Sequence, residues 1–270
     1  LVCASAMIRL LAIDLDDTLL TDDLTIPASA LSAIAAAREK GVQVVVATGR
    51  MFQSALPHAR AANVDGPLIT YNGALVQSLD GTTLSHQPIA IPEARELAGL
   101  AVEHGLCLNF YIDDELYASC MDERTEYYLR ISDVPVHVEP DLSQILTIGP
   151  TKALIVDDPP RVRELQAHLA TRFGERLSLT TSKPRFLEIM SPGVSKGVAL
   201  AKLAASLGIE AAGVMAIGDS FNDLPMFAFA GISVAVGNAD PAVRAQADYV
   251  VAGSQEGGVA EAISRFILTP

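Results

Sequence analysis

Several things are scarce in this sequence, and each shortage removes a class of function. Cysteine occurs three times, as Cys3, Cys107 and Cys120. An odd number without paired spacing argues against a disulfide framework and suits a reducing compartment. No Cys and His residues stand at zinc-ligand spacing. Basic residues number 19 against 32 acidic ones, a formal net charge of -13. Such a chain repels nucleic acid and anionic lipid, and no basic stripe offsets that. If the ligand is itself an anion, the chain needs a local positive site to overcome its own field. No apolar run reaches the roughly 18 residues of a membrane span. There is no internal repeat and no low-complexity tract. The opening LVCASAMIRL lacks a basic n-region, and the apolar stretch beyond it breaks at Asp14, Asp16 and Asp17, unlike a signal peptide. Met7 reads as the natural start, with 1–6 a leader or vector-derived scar. The expected location is the cytoplasm.

What is present is a large apolar complement, 50% of 270 residues, enough for a sizeable core in one large domain or two ordinary ones. Segment 8–14 is apolar and ends in acids, the pattern of a buried parallel strand. Segment 27–40 has helical spacing and closes at Gly41 as at a C-cap. VQVVVA at 42–47 reads as a second buried strand, followed by a helix and a short strand at 67–70. This alternation describes a parallel sheet with right-handed crossovers. The rhythm changes near residue 75. Hairpin signals at Asp80-Gly81 and Asp113-Asp114, helices at 92–104 and 159–173, and strands at 152–156, 177–181 and 186–190 suggest an α+β module of its own. Pro and acidic residues crowd 132–141, which reads as a loop. After Pro192-Gly193 the first rhythm returns. The expected architecture is α/β: a Rossmann-like parallel-sheet core from 1–83 and 191–270, interrupted by an inserted α+β domain, 84–190.

Four short motifs carry chemistry. Asp14-Leu15-Asp16-Asp17-Thr18 ends the first strand, where open α/β sheets bind ligands. Asp14 and Asp16 stand two apart, so both can point to one side as the strand ends. Crowded carboxylates repel; a divalent cation relieves that and neutralises a phosphate beside them. An acidic surface turn is the alternative. Thr48-Gly49-Arg50 ends the second strand. Its hydroxyl and glycine amide suit a phosphate oxygen, although Thr48 also makes an ordinary N-cap. Arg50 faces phosphate, pairs with an acid or is solvated. Ser195-Lys196-Gly197 opens a helix, and a lysine is disfavoured in a first turn because the dipole there favours anions. Lys196 makes sense facing a phosphate or the acids of strand one; a solvated lysine is the alternative. Gly218-Asp219-Ser220-Phe221-Asn222-Asp223 follows the apolar VMAI. Asp219 and Asp223 can approach one cation, one directly and one through water. Two acids plus Asn222 exceed what an N-cap needs. In a parallel sheet these ends share one edge. Acids, a magnesium ion and Lys196 there make a phosphate site with a nucleophile already inside it.

The order DLDDTLL, ATGR, SKG and GDSFND resembles the haloacid dehalogenase superfamily over nearly the whole chain. FLEIMSPGVSKGVAL is similar to the Cof-type phosphatases, which carry a large α/β cap at this point. The resemblance implies that Asp14 attacks phosphorus to form an aspartyl-phosphate. Asp16 would protonate the leaving oxygen and then deprotonate the attacking water. Thr48 and Lys196 would hold phosphoryl oxygens, with Gly49 and Arg50 beside them, Asn222 near the phosphate and Asn72 lining the entrance. Mg2+ would be bound by Asp14, the Asp16 backbone carbonyl and Asp219, with Asp223 in support. Asp17 stands where glycine is commonest in the family. The cap would select the substrate, with Glu188, Arg185 and Asp113-Asp114 as contributors, although structural or solvated roles suit each of them. The expected function is hydrolysis of small phosphorylated metabolites, sugar phosphates or phosphorylated cofactors. The rivals are a phosphomutase or phosphotransferase, and a non-catalytic phosphometabolite-binding protein. No nucleic-acid or membrane partner is expected, and the chain would be a monomer or small homo-oligomer.

Overall fold

The computed structural model describes residues 7–269 except 133 and 182. The leader expected at 1–6, with Cys3, lies outside the described residues. The chain divides into two compact units: residues up to Gly49, Ala55–Leu84 and those from Ser195 onward in one, Arg50–Ser54 and Ser85–Val194 in the other. It runs first through β1 (Leu10–Ile13), α1 (Ala28–Glu39), β2 (Gln43–Ala47), α2 (Phe52–Ala61), β3 (Leu68–Thr70), β4 (Leu75–Gln77) and β5 (Thr83–His86). Next come α3 (Ile91–Glu103), β6 (Leu108–Ile112), β7 (Glu115–Ala118), α4 (Glu123–Ser132), β8 (Val136–Val138), β9 (Lys152–Val156), α5 (Pro159–Phe173), β10 (Ser178–Thr180) and β11 (Phe186–Met190). The chain returns through α6 (Lys196–Ser206), β12 (Val214–Gly218), α7 (Leu224–Phe229), β13 (Ile232–Ala235), α8 (Pro241–Arg244), β14 (Tyr249–Val250) and α9 (Gly258–Ile263). No helix among the described residues is long and apolar enough to cross a membrane.

The first unit holds the sheet β14-β13-β12-β1-β2-β3-β4-β5. β1 lies between β12 and β2, parallel to both, with Ile13 opposite Ile217 and Val46. A central strand is covered on both faces, so both sets of side chains must be apolar; LLAI supplies this and is wholly buried. The register brings Asp14, Thr48 and Asp219 to one edge, because each follows the carboxyl end of its strand. The sheet is mixed rather than wholly parallel. β4 runs antiparallel to β3, since the turn joining them is too short for the crossover that a parallel pair requires.

Two helices show how small residues set spacing. α1 buries Ala30, Ala33, Ile34 and Ala37 on one face. α6 is capped by Ser195, whose side chain accepts from the Val198 amide at 3.2 Å, and buries Ala199, Leu200, Leu203 and Ala204. At Gly197 a Cβ would come 2.1 Å from the Pro225 carbonyl oxygen. Glycine there lets α6 and α7 approach and seats the neighbouring Lys196.

The second unit is a six-stranded sheet, β10-β11-β9-β6-β7-β8. α3 and α5 bury Leu97, Ala101, Leu165 and Phe173 against Phe110, Ile155 and Leu187 of the sheet. Two expectations are corrected here. The loop expected at 132–141 contains β8, which pairs parallel to β7 with Leu116 opposite Val136; three residues among prolines and acids are too few to show a strand period. The cysteine reading is corrected as well, because Cys107 and Cys120 form a disulfide with Cα atoms 5.5 Å apart. The hairpin explains it. Asn109 stands opposite Ala118 in the β6–β7 register, so the same ladder extended two places brings Cys107 opposite Cys120. Their distance in sequence hides that pairing.

Gly197→Ala should destabilise the fold by about 1–3 kcal/mol, because the added methyl meets backbone. Gly99→Ala, in the exposed interior of α3 with nothing within 4 Å of its Cβ position, should stabilise by about 0.5–1 kcal/mol. Urea and thermal unfolding of the two variants check both signs.

Candidate active site

Asp14 leaves β1 still extended, with φ -69° and ψ 157°. The backbone then closes a wide turn, with the Leu19 amide donating to the Asp14 carbonyl at 3.3 Å and Leu20 to Leu15 at 2.8 Å. Within it Asp16 is extended and Asp17 is left-handed at φ 59°. Glycine adopts that conformation freely, which gives the physical reason for the position at which Asp17 departs from the family pattern. Thr18 is buried and its hydroxyl donates to Asp219 Oδ1 at 3.0 Å.

Lys196 is wholly buried. Its Nζ donates to Asp14 Oδ1 at 2.5 Å and to Asp223 Oδ1 at 2.6 Å. The other Asp223 oxygen accepts from the backbone amides of Asp219 and Ser220 at 2.9 and 3.0 Å. Gly218 leaves room for that carboxylate, since a Cβ there would come 2.5 Å from it. Thr48 is buried; its amide donates to Ile69 and its carbonyl accepts from the Asn72 amide at 3.0 Å. Asn72, left-handed at φ 55°, accepts at Oδ1 from Asn222 Nδ2 at 2.9 Å. Asn222 Oδ1 is buried without a partner among the described residues, an acceptor left for a hydroxyl, a water or a cation. Arg50 belongs to the other compact unit, where its Nη1 donates to Ser54 Oγ at 3.3 Å.

Burial raises the Asp14 carboxyl well above its ordinary range; Lys196 opposes this, while Asp223, Asp219 and Asp16 add to it. Burial and then Asp223 push Asp219 up to about 7. Burial works against the Lys196 ammonium too, yet Asp14 and Asp223 outweigh it and hold the lysine charged. One lysine cannot neutralise three crowded carboxylates, two of them buried. Asp14, Asp219 and Asp223 each offer an oxygen, all within 4.8 Å of one another, as a group that could hold a metal ion. An all-carboxylate donor set fits a hard cation such as magnesium. The Asp16 carboxylate is not in that set.

Sequence reasoning did not single out two residues that brace this loop. One is Thr18; a hydroxyl directly after the acids is the signal that could have marked it. The other is Asn238, whose Nδ2 donates to the Asp17 carbonyl at 2.7 Å and whose Oδ1 accepts from the Ser254 amide at 2.8 Å. It stands 221 residues from Asp17, and no local pattern could have found it. In the inserted unit, Glu188 forms a buried ion pair with Lys152 at 2.9 Å. Arg185 pairs with Asp158 at 3.0 Å and lies over the Tyr127 ring. Asp114 accepts from the Phe52 and Gln53 amides at 2.8 and 2.7 Å. These three residues thus have structural partners.

Residues 11–263 match the model of the haloacid dehalogenase-like hydrolases. The chain belongs to that family. It is 32% identical to a pyridoxal phosphate phosphatase of Escherichia coli, YbhA, over 94% of this chain and 97% of that one. It is 33% identical to a 5-amino-6-(5-phospho-D-ribitylamino)uracil phosphatase of Bacillus subtilis, YcsE, over 97% and 96%. Among solved structures, TM0651 from Thermotoga maritima matches with a TM-score of 0.84 at 33% identity, covering 96% of this chain and 97% of that one. BT1666 of Bacteroides thetaiotaomicron, a phosphatase of the superfamily, matches at 0.87 and 27%, covering 98% and 97%. The two-unit architecture is thus the family fold, a sheet core with an inserted cap domain.

Two outcomes follow for this member of the family. A carboxyl raised in the folded state binds its proton there while the unfolded chain has lost it. Its stabilisation is complete below the unfolded value near 4 and disappears as pH rises through about 7. Metal-free protein should therefore lose several degrees of Tm between about pH 5 and about pH 8, and magnesium should restore more at the higher pH; thermal scans with and without the ion measure this. Asn238→Ala should lower kcat on an aryl phosphate roughly five- to tenfold, the rate equivalent of one hydrogen bond of about 1–1.4 kcal/mol. KM should change little, because the loss falls on the geometry of the loop.

Proposed function

We propose that the protein is a magnesium-dependent phosphatase of small phosphorylated metabolites, working through an aspartyl-phosphate on Asp14. The observation that carries this reading is the wholly buried Lys196, which bonds Asp14 and Asp223 at once. A lysine has no reason to enter a first helical turn beneath the surface unless acids or a phosphate meet it.

Asp14 attacks phosphorus, and the ester oxygen leaves with a proton from Asp16. Asp16 then takes a proton from water as that water opens the acyl phosphate. Lys196, the Thr48 hydroxyl and the Gly49 amide hold phosphoryl oxygens. Asn222, with its open acceptor, and Asn72 lie beside them. A magnesium ion held by Asp14, the Asp16 carbonyl and Asp219, with Asp223 in support, would neutralise charge on the phosphoryl group.

The catalytic core is assigned to 1–83 and 191–270 and the cap to 84–190. The relatives' substrates, pyridoxal phosphate and a phosphoribitylamino-uracil, support a monoester on a small metabolite, with a monomer or small homo-oligomer as the working form. Assignment to the cytoplasm rests on that substrate class, since the disulfide removes the argument from cysteine usage. Hydrolysis is preferred over phosphotransfer because Asp16, two residues beyond the nucleophile, would activate water.

Asp14→Asn should lower magnesium-dependent turnover of an aryl phosphate roughly 10³-fold or more while leaving the circular dichroism unchanged. Full activity in that variant, or turnover indifferent to a chelator, would sink the covalent reading. Phosphate appearing on an added sugar in place of inorganic phosphate would favour the transferase.

A further inference from the structure

The cysteine pair of the inserted unit lies outside the site described above and borders a cavity. Cys107 is 2% exposed. Cys120 is part-exposed and lines a cavity of about 250 Å3, together with Gly105, Leu106, Ser119 and Asp141. The surroundings of the buried sulfur are asymmetric as well. Cys107 Sγ lies 3.1 Å from the Cys120 carbonyl oxygen and 3.1 Å from the Thr125 hydroxyl. A disulfide sulfur carries no proton, so the first of these distances becomes a hydrogen bond only when Cys107 is a thiol. The Thr125 hydroxyl, 3.1 Å from the same carbonyl, is placed to donate instead to a departing thiolate. The buried member of the pair therefore has partners ready in the reduced state, and the other member is part-exposed and lines the cavity.

We propose that Cys120 is a thiol-exchange modification site, at which a small neutral or cationic thiol entering the cavity opens the Cys107–Cys120 disulfide. The thiolate of the small molecule attacks Cys120 Sγ. A new S–S bond forms there, the bond to Cys107 breaks, and Cys107 leaves with the electron pair beside Thr125, then takes a proton from solvent. A second small thiol displaces Cys120 and departs as its own disulfide, so two small thiols are oxidised for each protein disulfide reduced. Charge selects the thiol. Asp141 lines the cavity, and the chain carries a net charge of -13, so an anionic thiol approaches against the field. Room is ample, since the cavity is several times the roughly 30 Å3 share of a water molecule.

The experiment uses the full chain with Cys3 replaced by serine, in its disulfide form. The folded protein is exposed to cysteamine or to mercaptoethanesulfonate, quenched with iodoacetamide in denaturant so that any freed Cys107 is alkylated, and mapped by peptide mass. The expected result is a mixed disulfide on Cys120 and an alkylated Cys107. Cysteamine should react roughly tenfold faster, a gap that narrows in Asp141→Asn. In Cys107→Ser the remaining Cys120 thiolate should attack added cystamine, the disulfide of cysteamine, while the protein is folded, keeping one half as the adduct and releasing the other as thiol. In Cys120→Ser the remaining Cys107 should stay protected until denaturant is added. An adduct on Cys107, equal labelling of both cysteines, or exchange only in denaturant would overturn the proposal. Mapping of the disulfide form alone decides the matter if either serine variant fails to fold.

Discussion

The ammonium of Lys196 sits where no solvent reaches it, and the rest of the site is built around that charge. Desolvating such an ion costs several kcal/mol, which only close and well-directed carboxylates recover. Asp14 and Asp223 do this from opposite parts of the chain, one at the end of β1 and one past the end of β12. The backbone arrangement follows from it. Gly197 brings the first turn of α6 against Pro225, and Gly218 leaves space for the carboxylate of Asp223. Asp223 in turn spends its second oxygen on the amides of Asp219 and Ser220, so the same interaction that neutralises the lysine shapes the loop carrying Asp219.

The loop after β1 obeys a different constraint. It must turn sharply within a few residues while keeping Asp14 extended, and the turn is made by a left-handed Asp17. A non-glycine residue there stores strain of order 1 kcal/mol. Thr18 ties the loop to Asp219, and Asn238 ties the Asp17 carbonyl to the Ser254 amide. These bonds resist relaxation of the turn. Strain and its restraints thus occur together, beside the carboxylates whose placement matters most.

How much of this could be read beforehand depended on distance along the chain. β1, β2 and α1 were legible because burial on two faces or one leaves an apolar period in a few consecutive residues. The convergence of Asp14, Lys196 and Asp219 was legible at one remove, since parallel strands must present their carboxyl ends together. The Asn238 clamp was not, because its two partners, Asp17 and Ser254, come from two other loops and neither constrains the residue types around it. The strand β8 was hidden by brevity, and the hairpin at Asp80-Gly81 was legible without its antiparallel pairing to β3 in the core sheet. The Cys107–Cys120 pair was hidden for a related reason: its spacing means nothing until the β6–β7 register is known, and then it is fixed by that register.

The acidic character of the chain raises a question that the site answers in an unexpected way. An anionic substrate needs local positive charge, and Lys196 is the obvious source. Its charge is already committed to Asp14 and Asp223. With all three carboxylates ionised the cluster would carry an excess of two negative charges over that lysine; burial first, and the charge of Asp223 after it, push Asp219 up to about 7. Lys196 alone therefore leaves the site repulsive to a phosphate ester. A divalent cation among the carboxylates would cancel the excess and displace the proton, and a phosphate oxygen would then meet net attraction. On this account Lys196 fixes where the carboxylates stand and the cation supplies the attraction, so metal and anionic substrate are required together.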